Sequence, residues 1–327
     1  MSKRNINSFG FGVLWDIYGW LTRIRNFFYD RGWFKTVWLD AAVISVGNMT
    51  TGGTGKTPMV IFLSELIREI GLQPGVILRG YGNDEVILLQ RELPGVPVIA
   101  NPDRISAGKR AIAESARILI ADDAFQHRRL GRDLNICLVD ALAGFCEHKM
   151  LPAGHLREPL DGISRADIVV LTRCDQVEPE RIETIKSQIR EFDCDIPILV
   201  SEHRVRRDYE FIYGKKVFAF AAIGQPESFF ETVRKVGGIV VGTKVFRDHH
   251  HFSEQDLKEI CQEADTVGAE FVLCTSKDIV KIDRPATQNI FEINVGIYMN
   301  ENDRKILKQK VAQACLLESS GFPLSRE

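Results

Sequence analysis

Short apolar runs alternate along the chain with stretches whose apolar residues recur every three or four positions. Continuous runs are typical of buried strands, and the longer spacing is typical of amphipathic helices. The pattern predicts strands at 41–47, 75–79, 117–121, 134–139, 167–171 and 196–200, with helices at 57–71, 103–115 and 178–191. Strands that alternate with helices indicate βαβ units and a mostly parallel sheet. The predicted fold class is α/β, with functional residues at the carboxyl ends of the strands.

The pattern is interrupted near residue 203 and then resumes. Residues 202–208 are polar and include three arginines. A second series of strands and helices follows, with elements predicted at 216–220, 226–236, 239–246, 253–266 and 269–274. We therefore predict a core domain at 37–208 and a second, smaller α/β domain at 209–327. The last predicted helix, at 301–317, could pack back on the core domain.

The first forty residues are rich in aromatic side chains. They contain all four tryptophans, and 11 of the 29 aromatic residues precede position 39. Residues 1–36 predict an amphipathic helix with two opposite sides. The apolar side carries Phe11, Leu14, Tyr18, Leu21 and Phe28, and the polar side carries Asp16, Gly19, Arg23, Asn26 and Asp30.

Two interpretations of this helix remain open. Aromatic residues and arginines on one amphipathic helix suit the plane of a membrane interface. Aromatic stripes also pack on a protein's own core. A membrane-spanning helix is excluded because no run of about 18 apolar residues is present. A signal peptide is not expected, because the stretch lacks a small-residue cleavage site.

Residues 45–57 form a glycine-rich turn between a predicted strand and a predicted helix. This order is the sequence form of a phosphate-binding P-loop, in which backbone N–H groups and a helix N-terminus meet phosphate oxygens. Lys56 can reach the β- and γ-phosphates, and the Thr57 hydroxyl can ligate Mg²⁺. Thr50 stands where the strict pattern has its first glycine. The candidate nucleotide-binding residues are Thr50, Thr51, Gly52, Gly53, Thr54, Gly55, Lys56 and Thr57.

Two adjacent carboxylates, Asp122 and Asp123, end the apolar run at 118–121. An acid at the end of a strand in a P-loop fold holds Mg²⁺ directly or through water, and either residue could do so. The alternative is an ordinary helix cap or turn. Three further polar patches, at 79–85, 154–160 and 246–250, follow or precede predicted strands. In the last patch, His249 could serve acid–base chemistry, bind a metal or be an ordinary surface residue.

Composition narrows the class of protein. The chain has 327 residues, of which 45% are hydrophobic and 26% charged, as in globular proteins. Its net charge of −2 gives no basic field for nucleic acid, so no nucleic-acid partner is expected. The seven cysteines are scattered without a Cys-x-x-Cys pair, which indicates a reducing compartment and argues against a zinc site.

Taken together, the motifs resemble one family, the tetraacyldisaccharide 4′-kinases of lipid A biosynthesis. No single motif is specific, but their number and order over about residues 10–280 are. The matching segments are 47–48 through 57–58, 79–82, 84–85, 103–104, 122–123 with 126–127, 156–159, 224–227, 248–250, and Thr275 with 277–278.

The resemblance implies a P-loop kinase that uses ATP and Mg²⁺ to phosphorylate the 4′-hydroxyl of a tetraacyldisaccharide 1-phosphate, a lipid A precursor. It implies a peripheral protein at the cytoplasmic face of the bacterial inner membrane, with no obligate protein partner expected. Carried over residue by residue, it makes Asp84 the acceptor of the hydroxyl proton, oriented by His249. The other implied site residues are Lys56 on phosphate, Thr57 and Asp123 near Mg²⁺, Gln126 as a supporting residue at the nucleotide, Glu85 and Glu158 in supporting positions, and Arg157 on substrate phosphate.

The chain departs from the family pattern at several positions. Ala124 stands where Gly is usual, Ser276 replaces a common Glu, and Asn83 and Val86 flank the acidic pair in place of Gly and Pro. Gly82 runs directly into Asn83, where the family has an intervening stretch. The missing stretch concerns the loop around Asp84 and leaves the phosphate site untouched.

Two rival functions remain. Residues 166–175 resemble the strand and Thr/Asn-Lys-x-Asp element of P-loop GTPases of the metallochaperone type, in which Asp175 would read guanine, although Arg173 replaces the lysine. The other rival is a nucleotide-gated membrane adaptor without catalysis, anchored by the aromatic N-terminus.

Overall fold

The structure is a computed structural model that describes residues 7–80, 83–145, 149–282 and 290–319, with the side chains of all of these except 7–17 and 316–319. Residues 1–6, Tyr81, Gly82 and Cys146 lie outside the described residues, as do the side chains of Phe11, Leu14 and Asp16. The sequence observations that involve them therefore remain predictions.

The strands of the described chain are β1 (Ala42–Asn48), β2 (Pro74–Leu78), β3 (Val98–Ala100), β4 (Ile118–Asp122), β5 (Leu134–Asp140), β6 (Ile168–Thr172), β7 (Ile198–Val205), β8 (Lys216–Ala221), β9 (Ile239–Val245), β10 (Phe271–Thr275), β11 (Ile290–Ile293) and β12 (Val295–Met299). Its α-helices are α1 (Asn7–Asp30), α2 (Lys56–Glu69), α3 (Asp84–Glu92), α4 (Arg104–Ala113), α5 (Pro179–Arg190), α6 (Pro226–Lys235), α7 (Glu254–Thr266), α8 (Ser276–Ile279) and α9 (Glu301–Ser319).

The chain divides into two compact units. Within the described residues, the first unit holds the chain up to Arg79, residues 95–202, and the chain from Met299 onward. The second unit holds residues 80–94 and 203–298. The larger sheet has the strand order β12-β7-β6-β5-β1-β4-β2-β3, and the pairs from β7 to β3 are all parallel. The predicted parallel α/β fold is confirmed.

Polar residues gather where the central strands of the larger sheet end. β1 lies between β4 and β5, and its Val46 pairs with Asp122. Asp140 at the end of β5 pairs with Thr172 at the end of β6. These four strands are buried over their whole length, as expected for a parallel sheet covered on both faces. Their carboxyl ends therefore form one edge, at which ligands of such folds bind.

Helices cover the sheet of the first unit with apolar side chains. Helix α2 buries Met59, Leu63 and Ile67 at the three- and four-residue spacing of an amphipathic helix. Helix α9 contacts β1 and β5 and buries Leu307 and Val311. The last helix of the chain thus packs on the first unit, the arrangement that its sequence pattern allowed.

The second unit has its own parallel sheet, in the order β11-β10-β8-β9. Successive residues of β8 point to opposite faces and so enter two separate cores. Ala219 packs with Phe230 of α6 on one face, and Phe220 packs with Ile260 of α7 on the other.

The division of the chain differs from the predicted boundaries at 37, 208 and 209. Residues 80–94, expected in the core domain, belong to the second unit because α3 is tied to it by two ion pairs. Glu85 lies 2.8 Å from Lys277, and Arg91 lies 2.6 Å from Glu292. The sequence could not reveal that residues 80–94 belong to the second unit. Along the chain, α3 lies between two strands of the first sheet, and both ion-pair partners come some 190–200 residues later.

Helix α1 packs on the first unit through its small and polar residues. Gly19 adjoins Met150, Thr22 is buried, and the Asn26 amide lies 3.5 Å from a carboxylate oxygen of Glu158. Among the described residues of the predicted apolar side, Leu21 is 54% exposed and Phe28 is half-buried, and the Tyr18 hydroxyl donates to the Arg157 carbonyl at 3.1 Å. No helix in the described part of the chain combines the length and apolar character needed to cross a bilayer.

Candidate active site

The P-loop connects β1 to α2 and takes its shape from backbone conformation. Gly55 caps α2 with a φ of 84°, and Gly52 has a φ of 108°, both in a region that side chains disfavour. The Asn48 side chain, at the end of β1, donates to the Thr50 carbonyl at 2.6 Å. Of the three loop glycines that the sequence singled out, Gly52 and Gly55 thus adopt positive φ, and Gly53 does not.

Thr50 and Thr51 pair with a neighbouring segment instead of forming the tight part of the turn. The Thr51 N–H donates to the His155 carbonyl at 2.7 Å, and Thr50 forms an isolated bridge with Leu156. The Arg157 N–H donates to the Met49 carbonyl at 2.7 Å. Position 50 therefore needs no glycine, because the chain there is paired like the end of a strand.

Lys56 and Asp123 meet at the edge of the sheet. The Lys56 ammonium lies 3.6 Å from Asp123 Oδ1 and 3.5 Å from Asn48 Oδ1. Arg157 Nη1 donates to the same Asp123 oxygen at 2.7 Å. Burial raises the pKa of Asp123, but the charges of Lys56 and Arg157 outweigh burial, and the net pKa lies below its ordinary value. Asp123 is consequently an ionised carboxylate beside two cations.

The two adjacent acids have different surroundings. Asp122 is 4% exposed and its Oδ1 accepts the Asp123 N–H at 2.9 Å, while its carbonyl accepts a hydrogen bond from Arg104. Asp123 has a φ of 48° and a side chain 39% exposed. The Thr57 hydroxyl group belongs to the first turn of α2 and is buried. One carboxylate thus shapes the turn, and the other points toward the P-loop lysine.

Gln126 and Glu158 form a hydrogen-bonded polar pair at the end of β1. Glu158 is fully buried and accepts hydrogen bonds from Gln126 at 2.8 Å and from Arg165 at 2.5 Å. The Gln126 amide also donates to the Asn48 carbonyl at 2.8 Å. These contacts make both predicted residues supports of β1 and its loop.

Asp84 and His249 lie together in the second unit. His249 Nδ1 is 3.1 Å from Asp84 Oδ2, although 165 positions separate the two residues in the chain. Asp84 opens helix α3, where the helix dipole favours a negative charge, and it is only 8% exposed. His249 has a φ of 60°, its side chain is half exposed, and its N–H donates to the Ala222 carbonyl at 3.3 Å. The structure thus brings the predicted pair together.

Several polar residues at these sites were not among the predicted site residues. Asn48 contacts both Lys56 and the Thr50 carbonyl. Asp140 forms a buried ion pair with Arg173, which also donates to a P-loop carbonyl. Asp140 ends an apolar strand just as Asp122 does, so the same signal could have identified it.

Comparison with known proteins gives one consistent result. The family model for tetraacyldisaccharide-1-P 4′-kinase matches residues 11–316. The tetraacyldisaccharide 4′-kinase of Syntrophus aciditrophicus is 35% identical over 316 residues, covering 83% of this chain and 84% of its own length. That of Desulfotalea psychrophila is 34% identical over 88% of this chain and 92% of its own.

A solved structure agrees with the sequence relatives. LpxK from Aquifex aeolicus, crystallised in complex with ATP, has a TM-score of 0.74 and 28% identity, covering 93% of this chain and 98% of its own. The family match favours the kinase interpretation over the GTPase one. Arg173, which stands where the GTPase element has its lysine, contacts Gly53 and Asp140. From the order of the motifs, the fold and these matches, the chain belongs to the tetraacyldisaccharide 4′-kinase family.

Proposed function

We propose that the protein transfers the γ-phosphoryl group of ATP to the 4′-hydroxyl of a tetraacyldisaccharide 1-phosphate in lipid A biosynthesis. The observation that carries this function is the family match over residues 11–316. The P-loop geometry supports it, because Lys56 follows a glycine-capped helix start and lies beside an ionised carboxylate.

The first unit supplies the phosphate-binding groups in this proposal. Phosphoryl transfer proceeds through a loose transition state, so catalysis is mainly positioning and charge stabilisation. Lys56 neutralises the transferred phosphate, and Arg157, which shares Asp123 with Lys56, brings a second cation to phosphate. Gln126 and Glu158 keep the end of β1 in place beneath the loop.

The oxygen ligands at this edge fit a magnesium ion. Mg²⁺ prefers hard oxygen ligands and is commonly held by one or two carboxylates, a hydroxyl, waters and substrate phosphates. The Thr57 hydroxyl and the carboxylate of Asp123, with Asp122 as the alternative acid, supply that donor set. When bound, the ion neutralises charge that develops on the phosphate oxygens.

The second unit supplies the acceptor for the hydroxyl proton. An alcohol nucleophile needs a base within hydrogen-bond reach. Asp84 takes that role, and His249, 3.1 Å away, orients its carboxylate. Glu85 supports the arrangement because its ion pair with Lys277 holds the first turn of α3.

We also propose that the outward side of α1 rests in a membrane interface, on the cytoplasmic face of the inner membrane. The substrate is acylated and has to be taken from a bilayer. Trp20 and Leu21, adjacent in α1, are 63% and 54% exposed, and Trp33, which follows the helix, is 70% exposed. Tryptophan and leucine on one helix face are typical of interfacial helices.

A kinase assay tests the activity. The protein is incubated with a tetraacyldisaccharide 1-phosphate lipid, Mg²⁺ and either ATP or GTP, and the lipid is analysed by mass spectrometry. We expect one added phosphate at the 4′ position with ATP. A clear preference for GTP, or no lipid product while the nucleotide is hydrolysed, would contradict the proposal.

Flotation with vesicles tests the membrane contact. The double variant Trp20→Ser/Leu21→Ser keeps the residues with which α1 packs on its own unit, and it should float less with phosphatidylethanolamine–phosphatidylglycerol vesicles than the wild type. Phe192→Ser, which replaces another exposed apolar residue of the same unit, is the matched control and should float normally. Equal flotation of all three proteins would contradict the membrane contact.

A further inference from the structure

A buried ion pair lies at the ends of two central strands and does not belong to the phosphate-contacting residues described above. Asp140 ends β5 and is 1% exposed, and Arg173 follows β6 and is 6% exposed. Their side chains meet at 2.7 Å, between Arg173 Nη1 and Asp140 Oδ2. A buried ion pair is a poor source of stability, because the loss of hydration offsets much of the attraction. Its retention at this edge therefore calls for another role.

The same arginine contacts the P-loop. Arg173 Nη2 donates to the Gly53 carbonyl at 2.6 Å, while Nη1 is engaged by Asp140. The preceding residue, Thr172, is fully buried and its hydroxyl donates to the Thr54 carbonyl at 3.1 Å. Two successive carbonyls of the loop are thus held by two successive residues at the end of β6.

Holding these carbonyls fixes the orientation of the loop's N–H groups. A trans peptide unit is planar, with its N–H directed opposite to its carbonyl. Fixing the Thr54 carbonyl therefore fixes the direction of the Gly55 N–H at the start of α2. Phosphate binding by a P-loop depends on the direction of such N–H groups.

The backbone of Arg173 indicates that its position is set by the fold. Its φ is 57°, in the left-handed region that a long side chain rarely adopts. Such conformations persist where the surrounding structure determines them, and they cluster at functional sites. Here the conformation starts the turn from which the guanidinium reaches Asp140 and Gly53 at once.

We infer that Arg173, held by Asp140, is a positioning residue that sets the P-loop for the phosphates of the nucleotide. The inference deepens the proposed kinase function and rests on it for the identity of the nucleotide. It gives Arg173 a task different from the guanine reading that residues 172–175 suggested. The planar guanidinium is needed, because it presents two parallel donor directions, whereas a lysine ammonium offers a point charge on a flexible stem.

Nucleotide binding measured without lipid tests the inference. Calorimetry with ATP and with ADP is carried out on wild type, Arg173→Met, Arg173→Lys and Asp140→Asn, followed by kcat and KM in the kinase assay. We expect the Kd and KM of the nucleotide to rise at least about tenfold in both Arg173 variants, with the lipid KM unchanged. Arg190→Met, which removes an exposed arginine of α5, is the control and should bind as the wild type does.

Two further variants guard against a failure to fold. Arg173→Met leaves Asp140 as a buried charge, so the double variant Arg173→Met/Asp140→Asn removes both charges and should fold with the same weak nucleotide binding. Thr172→Val removes only the hydrogen bond to Thr54 at nearly constant size and should weaken binding less. Melting temperature and circular dichroism confirm the fold of each variant.

The outcomes separate this inference from the proposed function. Folded Arg173 variants with the wild-type nucleotide Kd would overturn the inference while leaving the kinase activity intact. A protein that binds ATP through this arginine but phosphorylates no lipid would overturn the proposed function and keep the inference.

Discussion

The P-loop with Lys56, Asp123 and Arg157, here called the phosphate edge of the first unit, and the Asp84–His249 pair of the second unit are built in different ways. The phosphate edge consists largely of backbone groups, shaped by glycines at positive φ and held by buried partners such as Glu158 and Asp140. The second site consists of two side chains joined by one contact of 3.1 Å, with His249 half exposed. A binding site for a rigid, highly charged group requires many fixed contacts, whereas a proton acceptor requires one well-placed carboxylate.

The two sites also share a feature. In the described part of the chain, the non-glycine residues with positive φ are Ser115, Asp123, Arg173 and His249. Three of these belong to the two sites. Positive φ is unfavourable for these side chains. Its occurrence at the proposed sites supports the idea that the fold fixes these residues for function.

Replacing Asp84 should have the largest effect, and it tests whether the second site provides the chemistry. Asp84→Asn keeps the size of the side chain and removes its basicity, so we expect kcat to fall by about 10²–10⁴-fold. The Kd for ATP, measured by calorimetry, should stay at the wild-type value. The exposed Asp208 is the control, since Asp208→Asn removes a carboxylate of the same unit. Near-normal kcat in Asp84→Asn would show that Asp84 is not the acceptor of the hydroxyl proton.

Replacing Lys56 should come next, and it tests the phosphate edge. Lys56→Ala removes the cation beside Asp123, and loss of such a charge in a preorganised site lowers kcat by about 10²–10³-fold. The fold should survive, which a melting curve can establish. Lys186→Ala removes a lysine of α5 whose partner, Glu183, is exposed, and it should remain active. A kcat within threefold of wild type would show that Lys56 does not contact the transferred phosphate.

The phosphate edge could be predicted from sequence because its signals are local. Continuous apolar runs located the buried parallel strands to within a few residues, and the P-loop follows β1 directly. Since parallel strands align their carboxyl ends, the meeting of Lys56 with Asp123 followed from topology. Short elements such as β3 and α3 were missed, because three or nine residues carry little periodicity.

The second site could not be derived from pattern. The pairing of Asp84 with His249 came only from the family resemblance, because contact between residues 165 positions apart leaves no local trace. The same limit explains the wrong domain assignment of residues 80–94, which depends on ion pairs with Lys277 and Glu292. The sequence placed Arg173 in a guanine-binding element of GTPases. In the structure it is buried and forms an ion pair with Asp140.

His249→Ala should have a smaller effect than the Asp84 change. It tests whether His249 only orients the carboxylate that accepts the proton. Losing one hydrogen bond to a carboxylate lowers kcat by roughly tenfold to a hundredfold, with little change in the ATP Kd. His250 is the matched control, because it lies next in the chain and contacts Asp256 at 3.1 Å instead. A large rise in the KM for ATP alone would place His249 at the nucleotide and remove the contrast between the two sites.

The smallest expected effect concerns the charge of the phosphate edge. Burial, together with the neighbouring Arg104, Arg132 and Arg129, lowers the pKa of His127 to about 4. In the unfolded chain, a histidine takes up its proton near pH 6.5. As the pH falls from about 6.5 to 4, the unfolded state therefore binds a proton that the folded state does not, and the protein loses stability. Below about 4 both states are protonated and this loss stops.

His127→Gln should remove that contribution. Urea unfolding of the variant should show a smaller loss of unfolding free energy between pH 7 and pH 5 than the wild type shows. The difference should be on the order of 1 kcal/mol, because the ring is partly exposed and solvent screens the neighbouring charges. His251→Gln, which changes an exposed histidine of the second unit, should follow the wild type. If His127→Gln also follows the wild type, burial and the three neighbouring arginines do not lower the pKa of this ring.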